Sequence, residues 1–278
     1  MEEKIMARSS ALEIPKGKTK EQALQEFKQS LSEKKNISPK RKFSFSYLLI
    51  TSAAAIILIL ITISIFVPKL SLTKIKTDNG IQTEIMLPDG SMVKMNAASK
   101  ITYKKGSFIG DRKLILKGEA FFDVAKGGAF IIETPNGSIK VLGTTFNVYS
   151  RESILRVSCL TGKVLVYTGD RKETIDAGQT FELLNSKLNV YTDSKTKYTI
   201  GWIDGEFYFE NTPLNIVFDE VERQFDVKFA SRPREAKYFT GSFTNKEPLL
   251  ETLESICEVM NLDYEIHGNE KIFISVKK

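Results

Sequence analysis

Asp219, Glu220 and Glu222 lie within four consecutive residues of NIVFDEVERQF. Carboxylates this close together can ligate a divalent cation or exchange a proton in acid–base chemistry. Either role needs a second cluster converging on the first, and the sequence offers none, so the three acids read as a solvated helix face. The single histidine, His267, sits in EIHGNEK, a hairpin-turn pattern, with no Cys/His constellation for zinc. Cys159 in LRVSCL holds an alternating apolar position of a strand, and Cys257 falls on the apolar face of a helix. Both read as small buried hydrophobes, although an oxidising compartment would allow them to pair. Asp89, Asp111, Asp123 and Asp170 stand at or beside turns, where aspartate supports tight backbone geometry. Ser91 and Ser99 have no evident base, and Lys94 and Lys100 have no activating cluster. The expectation is a protein that is not an enzyme and holds neither cofactor nor metal.

The elements carrying these residues are divided by one segment. Tyr47 to Val67 reads YLLITSAAAIILILITISIFV, 21 residues without charge or proline. As a helix it would be roughly 32 Å long, the hydrocarbon thickness of a bilayer. Its only polar groups besides the Tyr47 hydroxyl are Thr51, Ser52, Thr62 and Ser64, hydroxyls able to bond back within a helix. The run begins 46 residues into the chain, unlike a cleaved signal peptide. It reads as a single transmembrane helix over 47–67. Lys34, Lys35 and the cluster Lys40-Arg41-Lys42 precede it, and Lys69, Lys74 and Lys76 follow. That bias places the N-terminus in the cytoplasm and the 211 residues behind the run outside it.

The whole chain has a net charge of +6, but residues 1–46 alone hold 11 Lys or Arg against 6 Asp or Glu. The basicity is thus local to a cytoplasmic arm, where it suits anionic lipid, and it argues against direct nucleic-acid binding. Within the arm, Thr19 and Gln22 make a capping-box pattern, and Ala23, Leu24, Phe27 and Leu31 follow on one stripe. An amphipathic helix near 20–33 is expected. The arm is too short to bury that stripe itself, so the helix lies on the membrane, frays, or docks on a partner through Leu24, Phe27 and Leu31.

From Asp78 to about Tyr198 the pattern has period two, broken by turns at Pro88-Asp89-Gly90, Gly118 and Pro135-Asn136-Gly137. Helical periodicity is absent there, which predicts ten to twelve short strands in a sandwich or a wound stack of sheets. LPDGSMVKMNAASKITY, GEAFFDVAKG, FIIETPNGSIKVLGTTFNVYS, LTGKVLVY and AGQTFEL stand in this order along the segment. Together they resemble the FecR family. The resemblance implies a single-pass inner-membrane anti-sigma factor of a Gram-negative envelope.

After Tyr198 the order becomes β-α-β-β-α-β-β, a small α+β domain over 201–278. Thr212-Pro213 and Glu247-Pro248 open its helices, whose stripes are Leu214, Val217, Phe218, Val221, Phe225 and then Leu250, Leu253, Cys257, Met260. TPLNIVFDEVERQFDVKF and FTGSFTNKEPLLETLESICEVMNLDYEI resemble the short N-terminal domain of secretins and TonB receptors. Trp202, the only tryptophan, reads as the cover of a domain junction. The chain thus divides into an arm (1–46), a span (47–67), a periplasmic FecR-type β domain (78–198) and a periplasmic α+β signalling domain (201–278). The family resemblance implies two partners: an extracytoplasmic-function sigma factor inside, and the signalling domain of a TonB-dependent outer-membrane transporter outside. Release of the sigma factor would follow a change of state outside, through proteolysis of the span. A rival reading is a membrane-tethered module that binds envelope glycan, for which Phe121, Phe122, Tyr149 and Tyr167 are the available aromatics.

Overall fold

A computed structural model of the chain describes residues 17, 19–33, 55–62, 71–184, 187–192, 196–233, 237–267 and 271–277. Two compact units emerge, Met1–Ile61 and Thr62–Lys278. In the first, helix α1 spans Lys20–Glu33. The Thr19 carbonyl accepts from the N–H groups of Gln22 and Ala23 at 3.1 and 3.2 Å. The Thr19 N–H donates to Gln22 Oε1 at 3.3 Å, half of a capping box. Of the apolar run, residues 55–62 are described and helical. The rest of the run lies outside the described residues, among which no helix is long and apolar enough to cross a membrane.

The second unit contains two hydrophobic cores. The first belongs to strands β1 (Leu72–Lys76), β2 (Thr83–Met86), β3 (Met92–Met95), β4 (Lys100–Lys104), β5 (Lys113–Asp123), β6 (Phe130–Thr134) and β7 (Gly137–Val141). It continues through β8 (Thr145–Arg151), β9 (Ile154–Cys159), β10 (Lys163–Thr168), β11 (Arg171–Asp176), β12 (Gln179–Leu184) and β13 (Lys187–Thr192). They form two facing sheets. One runs β1-β4-β5-β6-β7-β10-β11, the other β2-β3-β5-β8-β9-β12-β13. Alternation along the strands sends Leu114, Leu116, Ile132, Ile139, Val164 and Val166 inward from the first sheet. Val93, Phe122, Phe146, Val148, Val157 and Phe181 meet them from the second. A short helix, α2 (Phe108–Asp111), tucks Phe108 under this core, although the sequence shows no helical period there.

β5 belongs to both sheets, which corrects the expectation of a turn at Gly118. Its first half pairs with β4 and β6, its second with β3 and β8. Gly118 sits where it changes sheets, at φ +109°, a conformation open to glycine because it has no Cβ. Ser99 fixes the bend: its Oγ accepts from the Glu119 N–H and donates to the Glu119 carbonyl, both at 3.0 Å. A Cβ at Gly118 would lie 2.7 Å from the Ser99 Cα.

The second core belongs to β14 (Glu206–Pro213), α3 (Leu214–Phe225), β15 (Lys228–Ser231), β16 (Tyr238–Thr244), α4 (Leu249–Met260), β17 (Leu262–His267) and β18 (Lys271–Val276). β14 pairs with β16, and β15, β18 and β17 form a separate three-stranded sheet. Pro213 and Pro248 are the N-cap residues rather than the first helical ones, so each ends a strand or turn and starts its helix. On α4, Leu253, Cys257 and Met260 of the expected stripe face the core together with Ile256, while Leu250 is exposed and Leu249 packs instead. Cys159 and Cys257 are free and buried, one in each core.

Gly118→Ala is expected to destabilise this unit by about 3 kcal/mol, summing left-handed strain and overpacking. Gly110→Ala, where a Cβ meets open space, should be near neutral. Urea unfolding of the two variants measures the contrast.

Candidate functional site

The outer face of the second sheet is covered by the C-terminal domain. β8 reads TFNVYSR, and its inward Phe146 and Val148 leave Asn147, Tyr149 and Arg151 pointing the other way. Ahead of β14 a 3₁₀ segment, Thr196–Asp204, carries Trp202 onto that face. α3 presents Val217 and Val221 to its own core and Glu220 and Gln224, one turn apart, to the junction.

The junction is a chain of buried polar groups. Glu119 accepts from Asn147 Nδ2 through Oε1 and from Asn96 Nδ2 through Oε2, both at 2.8 Å. Asn147 Oδ1 receives the Trp202 indole N–H at 3.3 Å, and its amide also reaches the Thr199 carbonyl at 3.1 Å. Asn96 Oδ1 receives Gln224 Nε2 at 3.1 Å, and Gln224 Nε2 also reaches Glu220 Oε1 at 2.7 Å. Glu220 Oε2 takes two bonds from Arg223, at 2.8 and 3.1 Å, and Arg223 Nη2 touches the Tyr149 hydroxyl at 3.4 Å. Backbone and rim bonds join the domains further out: Gly80 N–H to the Arg223 carbonyl at 2.7 Å, and Gln82 Nε2 to the Trp202 carbonyl at 2.6 Å.

Two carboxylates meet here, Glu119 at 7% and Glu220 at 5% exposure. Burial pushes the Glu119 carboxyl up, the Glu220 charge adds to this, and the two asparagines and Arg151 oppose it, leaving it at about 7. Burial also works against the Glu220 charge, but Arg223 and Arg151 outweigh it and hold Glu220 below its ordinary value. Of this coupled pair, Glu220 is the ion and Glu119 is the group that takes the proton. Burial, above all, pushes the Tyr149 phenol upward, so it stays neutral.

Beside the junction a cleft of about 630 Å³ opens between the outer face of β9, β12 and β13 and strands β14 and β16. Tyr149, Tyr191, Tyr198 and Tyr208 line it, with the Arg156–Glu182 ion pair at 2.6 Å.

The acidic cluster is therefore not a solvated face. Glu220 is inside the junction, Asp219 pairs with Arg232 at 2.6 Å, and Glu222 binds Arg232 and the Phe229 N–H at 2.9 and 2.7 Å. Trp202 is 3% exposed and does cover the junction. Asp89 is spent on the buried Arg112, 2.8 Å away. His267 ends β17, beside Glu265 at 3.0 Å and Phe273. Among the described residues no group of histidines, cysteines and carboxylates is placed to hold a metal. The aromatics of the glycan reading do not form a platform: Phe122 is in the core, Tyr149 is in the junction, and Phe121 packs against the second core. Leu24, Phe27 and Leu31 stand on α1 in the first unit, 41, 39 and 48% exposed. Sequence reasoning missed Glu119, Asn96, Asn147 and Gln224. One signal was available: β8, β9 and β12 carry no lysine, a residue depleted where a surface is covered.

Two family models match the chain, "FecR protein" over residues 73–165 and "FecR, C-terminal" over residues 206–274. Two crystal structures of a "putative anti-sigma factor" from Parabacteroides distasonis ATCC 8503 are similar to it, each at 26% identity. One has a TM-score of 0.70 and covers 75% of this chain, the other 0.69 and 74%, and both solved chains are matched over 100% of their length. No curated protein matches.

The junction should be sensitive to pH. Glu119 holds its proton in the folded state at pH values where the unfolded chain has lost it, so its contribution is full at low pH. That contribution is lost as pH rises from the ordinary carboxyl range to about 7. The expected fall is roughly 3 kcal/mol. Urea unfolding across that range should show it, and Glu119→Gln should flatten it.

Proposed function

The chain belongs to the FecR family, whose two models together match more than half of it, and we propose that it is a membrane-spanning anti-sigma factor. In this reading residues 47–67 cross the inner membrane, the arm 1–46 is cytoplasmic and the rest is periplasmic. The arm controls an extracytoplasmic-function sigma factor, and the exported part answers the signalling domain of a TonB-dependent transporter.

The observation that carries the reading is the likeness to the Parabacteroides distasonis structures, described as those of a "putative anti-sigma factor" and matched over three-quarters of this chain. Two features support its halves. Inside, α1 leaves Leu24, Phe27 and Leu31 exposed along one stripe, suited to an apolar groove on a partner. Outside, β14 and β16 form a sheet of two strands bordering the cleft. A strand of the transporter's signalling domain added to that sheet would gain main-chain hydrogen bonds and meet the four tyrosines. Release of the sigma factor is assigned to cleavage within the span. A span variant that resists cleavage yet signals normally would remove that step.

Co-purification from cells with the full-length chain tests the inside half. The native chain is expected to retain a sigma factor, and Leu24→Ala/Phe27→Ala/Leu31→Ala to lose at least tenfold of it, since each truncated anchor costs about 1 kcal/mol or more. A native chain recovered intact without any sigma factor would contradict the reading.

A further inference from the structure

The outer face of the first sheet is built differently from that of the second. β1, β4 and β5 each turn two lysines outward: Lys74 and Lys76, Lys100 and Lys104, Lys113 and Lys117. β7, β10 and β11 add Lys140, Lys163 and Lys172, and all nine side chains are exposed. Three carboxylates lie against the face, Asp78, Glu133 and Asp176, engaged by Lys76, Lys113 and Lys163. Three cannot neutralise nine.

The register sharpens the point. Lys76 lies directly opposite Lys100, and Lys100 directly opposite Lys117, a row of three like charges across adjacent strands. Opposed like charges destabilise a sheet, and nothing in the core requires lysine at any of the three. Apolar groups lie among them: Ile115, between Lys113 and Lys117, is 43% exposed, and Leu72 on the edge strand is 53% exposed. Lysine stems can lie along such groups while the ammonium groups reach a polar layer.

We propose that this face binds the anionic phosphodiester head groups of the membrane from which the chain emerges. The inference rests on the reading of residues 47–67 as a span. Only Pro68, Lys69, Leu70 and Ser71 separate that run from Leu72, so chain reach keeps the start of β1 within roughly 18 Å of its end. Charge attraction to a lipid surface acts within about a Debye length, near 8 Å at physiological salt. A basic face tethered this closely would be held there by modest attraction at each lysine. Lipid contact by this face leaves the cleft and the β14–β16 sheet, which belong to the other side of the sandwich, open to a partner.

The test is lysine footprinting of the full chain in nanodiscs of phosphatidylcholine, alone or mixed with phosphatidylglycerol. Lys100, Lys104, Lys117 and Lys140 are expected to react at least threefold more slowly in the anionic discs and to recover at high salt. Lys246 and Lys277, in the C-terminal domain, should not change. Equal reactivity of the face in both discs would overturn the proposal, as would protection that appears only when another envelope protein is added. Lys100→Glu supplies a second readout: it should reduce the protection of Lys117 while leaving thermal stability unchanged or raised, because it relieves the row of three. Unaltered protection in that variant would count against the proposal. If the chain does not enter discs, the span reading fails instead. Sedimentation of the chain with phosphatidylglycerol vesicles then decides the face by itself: binding supports it and no binding overturns it.

Discussion

Glu119 cannot sit between two domains unless both of its oxygens are answered, and each is answered by an asparagine of its own sheet system. Those asparagines have amide oxygens to satisfy in turn: Trp202, from beyond the sandwich, donates to Asn147, and Gln224 joins the Ala97 N–H on Asn96. A C-terminal domain docked in any other register would keep this face buried and leave the Asn147 oxygen without its donor, at a cost of about 1–3 kcal/mol for such an unsatisfied group. The polar chain therefore specifies one docking geometry in a way an apolar patch of the same area would not. Its ionised end, Glu220 with Arg223, is a buried pair whose burial is tolerable only while the hydrogen bonds around it persist.

The two faces of the sandwich follow from this. One sheet must turn tyrosine, asparagine, glutamate and arginine outward to meet the second domain. The other remains in contact with solvent or a surface and carries lysine. Strand β5 joins them, and its bend at Gly118 places Glu119 at the first position beyond the change of sheet. The bend that closes the β core is thus also what aims the central carboxyl of the junction. A partner that displaces the C-terminal domain would pull on Glu119, and through it on the strand shared by both sheets.

Much of the fold was legible because it rests on local rules. Period two gave the strands, the Pro-Asp-Gly and Pro-Asn-Gly turns gave two hairpins, and the stripe Leu214, Val217, Phe218, Val221 gave α3. Gly118 was misread because a glycine in an alternating segment marks either a turn or a bend within a strand, and only pairing partners distinguish them. The junction was not legible for a similar reason. Alternation tells inward from outward but not what lies outside, so Glu220 read as part of a solvated helix face and Asn147 drew no reading of its own. The arm stripe Leu24, Phe27 and Leu31 was visible at once, since an amphipathic helix without a core of its own declares its exposed side.

The central claim is that the polar junction makes the β sandwich and the C-terminal domain one body. Differential scanning calorimetry of residues 71–278 tests it most directly. The account predicts a single transition whose calorimetric and van't Hoff enthalpies agree. Two resolved transitions, one for the sandwich and one for the C-terminal domain, would contradict it.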